Sequence, residues 1–240
     1  MMLFGIIVCY ALPVGGLVLC VRKKKGAGKA FAIGVLTFVI SQLLIRIPIL
    51  QLVLPQFAWF AVLQMNPWAY GLFLGGTAGI FEEVARWIGF RIFLKRQQDF
   101  AHGFAFGLGH GGIEAMVLVG LNFIVGLWMM AAGQGALFPA DVAGVFLAGG
   151  ERLYVIAFHV GASLLVLYGI RVRKSLRYLI GAIVLHTVFD AAIVILPYEF
   201  GVSTLGVGVY GAVASILTFV VSLLMFRKLE CGAEKELISQ

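Results

Sequence analysis

Two adjacent carboxylates and an arginine interrupt an apolar stretch of this 240-residue chain, GIFEEVARWIGFR at residues 79–91. They are Glu82, Glu83 and Arg86. Ionisable side chains inside such a stretch are costly to keep, and they usually have partners and a function. Glu82 and Arg86 have i,i+4 spacing, so we expect them to share one helix face and to pair. A glutamate held in this way can act as a general base.

Histidines and further carboxylates occur in later apolar stretches of the chain. His110 with Glu114, and His186 with Asp190, again have i,i+4 spacing, while His159 stands alone between them. A glutamate beside a histidine can activate water for attack on an amide. His186 and Asp190 can stabilise the oxyanion that develops during such an attack.

Zinc chemistry is the alternative, because zinc binds imidazole nitrogen and carboxylate oxygen and keeps one position open in catalytic sites. Its ligands would be His110, His159, His186 and Glu82. Spacing alone does not separate metal-activated water from glutamate-activated water. We therefore expect no resident cofactor, with zinc left open.

The composition indicates which elements must position these residues. The chain is 62% hydrophobic and 12% charged, with a mean hydropathy of +1.04, whereas soluble domains are about half apolar and a quarter charged. This composition predicts an all-α, polytopic membrane helical bundle, because helices satisfy their own backbone hydrogen bonds in lipid. The net charge of +7 comes from residues beside apolar segments, where they set topology. Nucleic acid is not expected as a partner.

Seven apolar segments are each long enough to cross the ~30 Å hydrocarbon core. They are 3–21, 30–53, 68–94, 100–130, 152–170, 178–197 and 203–226. Basic clusters follow the first, third, fifth and seventh segments. The positive-inside rule then places the N-terminus outside and the C-terminus in the cytoplasm. Arg46, near the outer end of the second segment, is expected to snorkel.

One transmembrane domain, 1–240, is predicted, with core helices in 68–197 and a short cytoplasmic tail at 228–240. Straight helices place the ionisable residues of four segments ~13 to ~22 Å from the basic ends. They therefore share one layer near the middle of the membrane, where they would form a polar chamber. A row of glycines in the fourth segment, Gly103, Gly107 and Gly111, predicts close helix packing.

Several short motifs now carry a resemblance. FEEVAR (81–86), FGLGH (106–110), a histidine in the next helix and HTVFD (186–190) occur in this order. Together they resemble the CAAX prenyl endopeptidase and bacteriocin-immunity superfamily of intramembrane proteases, and within it the YhfC-type membrane peptidases. The resemblance covers about 68–197. It implies a glutamic-type intramembrane endopeptidase.

The resemblance also implies roles for individual residues. One glutamate of the pair and His110 would activate water, and Arg86 would orient the glutamates. His186 and Asp190 would line the oxyanion side. Supporting positions would be Glu114, His159 and Phe106.

Two departures from the family pattern affect these roles. Two residues separate the glutamate pair from Arg86, where three are usual, so the choice of base between Glu82 and Glu83 stays open. Glu82 is favoured because it is i,i+4 to Arg86. Asp190 stands where an asparagine is usual, and it would hold His186 protonated rather than contact an oxyanion itself.

These features predict an endopeptidase of a bacterial cytoplasmic membrane that cleaves a membrane-associated peptide or protein near the cytoplasmic half of the bilayer. Its other partners would be membrane lipids, and the oligomeric state is not predicted. A noncatalytic scaffold or bacteriocin-immunity protein is one alternative. A proton- or ion-coupled transporter is another, although no inverted repeat supports it.

Overall fold

The computed structural model describes residues 1–135 and 142–238, with side chains described for 1–135 and 144–231. Within these residues the chain is helical apart from short turns, which confirms the all-α prediction. Residues 239–240 of the predicted tail lie outside this part. The helices are α1 Met2–Lys23, α2 Ala27–Gln56, α3 Ala58–Gln64, α4 Pro67–Ile88, α5 Phe100–Ala131, α6 Val142–Arg171, α7 Ser175–Phe200 and α8 Thr204–Ile238.

Local sequence signals fix the ends of the helices that carry the site. Asn66 caps α4 by accepting a hydrogen bond from the Ala69 N–H at 3.0 Å, with Pro67 in the first turn. Asp99 caps α5 in the same way, through the His102 N–H at 3.1 Å. Gly201 ends α7 in the left-handed conformation, with φ of 63°.

Six of these helices are long and apolar enough to cross a membrane: α1, α2, α5, α6, α7 and α8. The predicted third segment, 68–94, is also one continuous helix, because α4 is extended by the π-helical turn Gly89–Phe93. Its charged residues Glu82, Glu83 and Arg86 set it apart from the other six. The chain is therefore a multi-pass membrane bundle in which one helix carries the ionisable core.

The basic ends of the helices lie on one face of the bundle, called here the basic face. Lys24 Nζ contacts Asp99 Oδ2 at 2.5 Å, which joins the end of α1 to the start of α5. Glu230 of α8 accepts a hydrogen bond from the Phe100 N–H at 3.2 Å. The Arg171 guanidinium of α6 lies 5.6 Å from the centroid of the Phe226 ring. The assignment of this face to the cytoplasm stays a prediction of the positive-inside rule.

Five helices, α2, α4, α7, α6 and α5, contact each other in that order around a ring. The most extensive contacts are between α4 and α7, between α2 and α5, and between α6 and its outer neighbour α8. The glycine row of α5 faces α6 closely, as predicted. A Cβ on Gly107 would lie 2.5 Å from Val160 Cα, and one on Gly111 would lie 3.0 Å from His159 Cβ.

The contact between α2 and α5 is also a close backbone approach. A Cβ added to Gly34 would overlap the Phe106 carbonyl oxygen, and one added to Gly109 would overlap the Phe31 carbonyl oxygen. Glycine on both helices therefore sets their separation. This separation fixes the position of His110, one residue after Gly109, relative to α2.

Candidate active site

The ionisable residues of α4 point into the ring. Glu83 and Arg86 are fully buried, and Glu82 is 5% exposed. Histidines from three neighbouring helices surround them, and all three are buried: His110 of α5, His159 of α6 and His186 of α7. The structure thus brings together side chains that the sequence placed at one depth.

Glu82 is the carboxylate on which the histidines converge. Its Oε2 lies 3.0 Å from His110 Nε2. The same oxygen is 3.9 Å from His159 Nδ1 and 3.9 Å from His186 Nε2. Its other oxygen, Oε1, accepts a hydrogen bond of 2.5 Å from Gln42 Nε2. The predicted contact between Glu82 and His110 is therefore present.

The predicted pairing of Glu82 with Arg86 is wrong. Arg86 binds Glu83 at i,i+3 instead, with Nε donating to Oε2 at 2.9 Å and Nη2 to Oε1 at 3.3 Å. Adjacent helical side chains point about 100° apart, and the guanidinium faces α6. There Nη1 donates to Ser163 Oγ at 2.5 Å and to the His159 carbonyl oxygen at 3.1 Å. Acceptors on the neighbouring helix therefore decided which glutamate the arginine binds.

Glu114 does not pair with His110, which corrects a second i,i+4 expectation. Its Oε2 accepts from His159 Nε2 at 2.6 Å, and its Oε1 accepts from Arg152 Nη1 at 3.0 Å. Both partners lie on α6, across the helix interface. Glu114 thus orients His159 rather than His110.

His186 and Asp190 lie on one face of α7 as predicted, but they are not hydrogen-bonded. Asp190 Oδ2 is 3.7 Å from His186 Nε2, and His186 uses its Nδ1 to bind Glu83 Oε1 at 2.8 Å. No hydrogen bond within the described part of the chain uses the Asp190 carboxylate. Asp190 is therefore a free acceptor beside the cluster.

Phe106, the predicted supporting aromatic, does not line the polar cluster directly. Its ring stacks on Phe90 with centroids 4.3 Å apart, and both residues are fully buried. The ring centroid of His110 is 6.5 Å away. Phe106 therefore closes the side of the cluster that faces the basic face.

Gln42 and Arg46 of α2 were not predicted for the site, although both lie at its edge. They occur in a π-helical stretch, Val39–Arg46. Arg46 does not snorkel: Nε donates to Thr77 Oγ1 at 3.0 Å, Nη1 to Gln42 Oε1 at 3.0 Å, and Nη2 to the Leu74 carbonyl oxygen at 2.6 Å. The signal that was available is a polar pair with i,i+4 spacing inside an apolar segment. Arginine can only donate, so Gln42 must present its amide nitrogen to Glu82.

Hydrogen-bond partners determine the tautomer of His110. The Thr37 hydroxyl donates its proton to the Gly34 carbonyl oxygen at 2.7 Å, so its oxygen accepts from His110 Nδ1 at 3.1 Å. A neutral His110 therefore carries its proton on Nδ1. The bare Nε2 then faces Glu82 Oε2 at 3.0 Å, an arrangement that is unfavourable unless a cation lies near both atoms or a second proton makes the His110 ring an imidazolium.

The other two histidines follow the same rule. His186 donates Nδ1–H to Glu83, and His159 donates Nε2–H to Glu114. Each then keeps one nitrogen without a proton, and both of these nitrogens lie 3.9 Å from Glu82 Oε2. The His159 Nδ1 also accepts from Arg86 Nη2 at 3.2 Å. Carboxylates and hydroxyls that fix imidazole tautomers in this way are typical of metal centres.

A group of three donors could hold a metal ion: Glu82, His110 and His159 offer atoms that all lie within 4.8 Å of one another. Two nitrogens and one carboxylate oxygen are donor types that zinc accepts, with a position left open. His186, the fourth ligand of the expected zinc set, lies outside this group among the described residues. The donor chemistry therefore fits zinc with three protein ligands.

Comparison with known proteins agrees with this donor set. A family model described as the YhfC intramembrane metalloprotease matches residues 8–207. The chain belongs to this family. An uncharacterized membrane protein YhfC from Bacillus subtilis is 33% identical over 216 residues, covering 81% of this chain and 83% of that protein. No solved structure matches the chain. The predicted likeness to YhfC-type peptidases is thus confirmed.

In this YhfC-family chain two of the three donor residues, Glu82 and His159, line a cavity of about 170 Å³ within the ring. Residues of the five ring helices line it. Glu82, Glu114 and Asp190 are the carboxylates among them, and His159 and His186 are the imidazoles. The cavity therefore combines possible metal ligands with one carboxylate that has no hydrogen-bond partner among the described residues.

Proposed function

We propose that this protein is a zinc-dependent intramembrane endopeptidase that hydrolyses a peptide bond of a membrane-associated peptide or protein. The observation that carries the proposal is the convergence of unprotonated imidazole nitrogens on Glu82, within a buried cavity. Glu82, His110 and His159 would hold the ion, and His159 Nδ1 would exchange its hydrogen bond from Arg86 Nη2 for the ion. When bound, zinc supplies Lewis-acid polarisation of a peptide carbonyl.

Asp190 is the residue we assign as general base. Of the three carboxylates that line the cavity, Glu82 would hold the ion and Glu114 accepts a hydrogen bond from Arg152, whereas Asp190 has no hydrogen bond among the described residues. It takes the proton of the attacking water at its carboxylate and returns it to the leaving amine. His186 is its nearest imidazole, with Nε2 3.7 Å from Asp190 Oδ2 and no hydrogen bond between the two side chains.

The remaining polar residues hold the site in position. Gln42 fixes Glu82 through a 2.5 Å hydrogen bond, and Glu83 with Arg86 fixes His186 and the α6 backbone. All of these groups are buried or nearly so, which limits water to the cavity. Preorganised donors of this kind need little rearrangement during the reaction.

A glutamic mechanism is the second candidate, favoured by the 3.0 Å contact between Glu82 and His110. There Glu82 is the general base, and His186 with Asp190 lines the oxyanion side. This mechanism accompanies the proposed placement in the CAAX prenyl endopeptidase and bacteriocin-immunity superfamily. We propose a bacterial cytoplasmic membrane as the location, with lipids and the substrate as partners and no nucleic acid.

Metal content and one substitution separate the two mechanisms. The full-length protein is purified in detergent, its zinc is measured by mass spectrometry, and cleavage of a membrane peptide is followed before and after chelation. The zinc mechanism predicts about one ion per chain and loss of activity that zinc restores. It also predicts that Asp190→Asn lowers cleavage by roughly 10²-fold or more.

The glutamic mechanism predicts the opposite for both measurements. Cleavage then survives chelation, and Asp190→Asn, which supplies the usual asparagine of the superfamily, retains activity. A folded protein that contains no zinc and cleaves no peptide would overturn both mechanisms. A scaffold or immunity role would then remain.

A further inference from the structure

We propose that the cavity is entered from the side of the bundle opposite the basic face, so that the substrate is an extended polypeptide segment presented from outside the cytoplasm. The nature of the occupant rests on the proposed function, but the direction of access does not. This direction differs from cleavage near the cytoplasmic half of the bilayer, which the sequence suggested.

The side of the cluster that faces the basic face is closed. Arg86, Phe90 and Phe106 lie between the cluster and that face, and all are fully buried. Leu164 and Leu167 of α6 fill the same level and are also fully buried. A layer of aromatic, aliphatic and ion-paired side chains with no exposed member therefore blocks this route.

On the opposite side the cavity wall becomes progressively exposed. His110 and His159 at the cluster are 0% and 3% exposed, whereas Leu118 and Ile193, which line the cavity farther from the basic ends of α5 and α7, are 40% and 46% exposed. Arg46, on α2, also lines this outer part. The exposed fraction thus rises in the same direction on two helices, from His110 to Leu118 on α5 and from His186, which is 3% exposed, to Ile193 on α7.

The distribution of basic residues indicates on which side of the membrane the cavity opens. Lys24, Lys25, Lys29, Lys95 and Arg96 surround one pocket on the basic face. Basic residues that flank membrane helices are retained on the cytoplasmic side. The open end of the cavity therefore lies toward the extracytoplasmic side.

The size of the cavity limits the form in which a chain can enter. A cavity of roughly 150 Å³ holds a molecule of the size of benzene, and this cavity measures about 170 Å³. A helix with its side chains is about 10 Å wide, which is too large. Only a short extended piece of polypeptide, about one residue and its peptide bond, can reach Glu82. The natural occupant is a juxtamembrane segment that has left the helical conformation.

Cysteine labelling in intact cells tests the direction of access in the full-length protein. Ile47 and Ile193 line the cavity, while Leu44 is 66% exposed on the same helix as Ile47 but does not line it. Each is changed to cysteine in a background with Cys20→Ser and Cys231→Ser. The probe is a membrane-impermeant maleimide, which needs a hydrated thiolate. A protein with Cys20→Ser alone provides Cys231, at the basic end of α8, as the marker of the basic face.

The proposal predicts that Ile47→Cys and Ile193→Cys are labelled in intact cells at least about tenfold faster than Leu44→Cys, whose thiol would face lipid. Cys231 should be labelled only after permeabilisation. Labelling of both cavity cysteines only after permeabilisation would overturn the proposal, as would rates no higher than that of Leu44→Cys. Labelling of Cys231 in intact cells would also overturn it. None of these outcomes depends on proteolysis or zinc, so the proposed function is tested separately.

Discussion

Glu82 and Glu83 are neighbours in the sequence, but their carboxylates lie in two different environments. Glu83 belongs to a closed group with Arg86 and Ser163, in which every donor and acceptor named above has a partner inside the protein. Glu82 belongs to the cavity group with His110 and Gln42, in which an imidazole nitrogen without a proton faces a carboxylate oxygen.

This difference indicates a structural role for the Glu83 group and a chemical role for the Glu82 group. A buried charge with a complete set of hydrogen bonds is stable and has no capacity left for a ligand. A buried group whose lone pairs face one another has that capacity, and it needs a cation or proton to be stable. Under the proposed function, the closed group therefore holds the helices and the cavity group carries out the reaction.

The largest expected effect is on activity, from Glu82→Gln. The amide cannot act as an anionic ligand or as a base, so we expect cleavage to fall by roughly 10²–10⁴-fold. Thermal unfolding in detergent should change little, because the substitution keeps the shape of the side chain and removes a buried charge. If the Glu82→Gln protein were active, Glu82 would have no role in the reaction, and the proposed difference between Glu82 and Glu83 would be wrong.

Glu83→Gln should affect stability first. It leaves the Arg86 guanidinium buried without its counter-ion, which costs about 3–5 kcal/mol in free energy of unfolding. Denaturant unfolding of the single and double variants checks this, since Glu83→Gln combined with Arg86→Gln should recover part of the loss. If Glu83→Gln unfolds like the wild type yet abolishes cleavage, Glu83 belongs to the cavity group instead.

Gln42→Met is expected to have an intermediate effect, confined to the cavity group. It removes the hydrogen bond that orients Glu82, and loss of such an orienting bond typically costs 10–100-fold in metal affinity. Competition with a zinc chelator measures this affinity. Ser41→Ala is the matched control, because Ser41 is buried on the same helix but bonds only the Thr37 carbonyl oxygen. Equal affinities for the two variants would contradict the role of Gln42.

The smallest effect is expected at the exposed pair of Lys24 and Asp99 on the basic face. Burial alone would raise the pKa of Asp99, but hydrogen bonds from Lys24 and from the His102 N–H outweigh it and hold the pKa below the usual range. A carboxyl group whose pKa is lower in the folded protein stabilises the fold at pH values above its pKa in the unfolded chain, about 3.9. This stabilisation is lost as the pH falls through the pKa of the group in the folded protein.

Thermal unfolding of wild type and Asp99→Asn should therefore differ near neutral pH, begin to converge below about pH 4 and coincide below the folded pKa of Asp99. Exposed pairs contribute little, so we expect a difference of at most roughly 2 °C. Cleavage should be unchanged. A difference that grows as the pH falls would show that Asp99 is not stabilised by its charge.

Helix positions and the depth of the ionisable residues could be predicted from the sequence. Hydropathy located the helices, and a constant rise per residue placed Glu82, His110, His159 and His186 at one level. The glycines of α5 indicated close helix packing, although they did not indicate which helix would be the partner. Helix position and residue depth each depend on one helix at a time, so they can be predicted from the order of residues in the sequence.

The partners of each side chain could not be predicted in this way. Spacing within one helix favoured Glu82 with Arg86 and His110 with Glu114, but partners on neighbouring helices decided both cases. Interhelical acceptors such as Ser163 depend on helix rotation, which spacing does not encode. Gln42 was not predicted because a single uncharged amide in an apolar segment is a weaker indicator of a functional site than a charged side chain.

The uneven packing of the ring has a mechanical consequence. Contacts between α4 and α7 are more extensive than those of either helix with α2 or α6, so these two helices are joined more firmly to each other than to the rest of the ring. The bonds of Gln42 to Glu82 and of Arg46 to Thr77 bridge one seam, and Arg86 bridges the other to Ser163. Widening the cavity must stretch the bonds that shape the site. Under the proposed function, a chain too bulky for the cavity would therefore disturb these bonds as it entered.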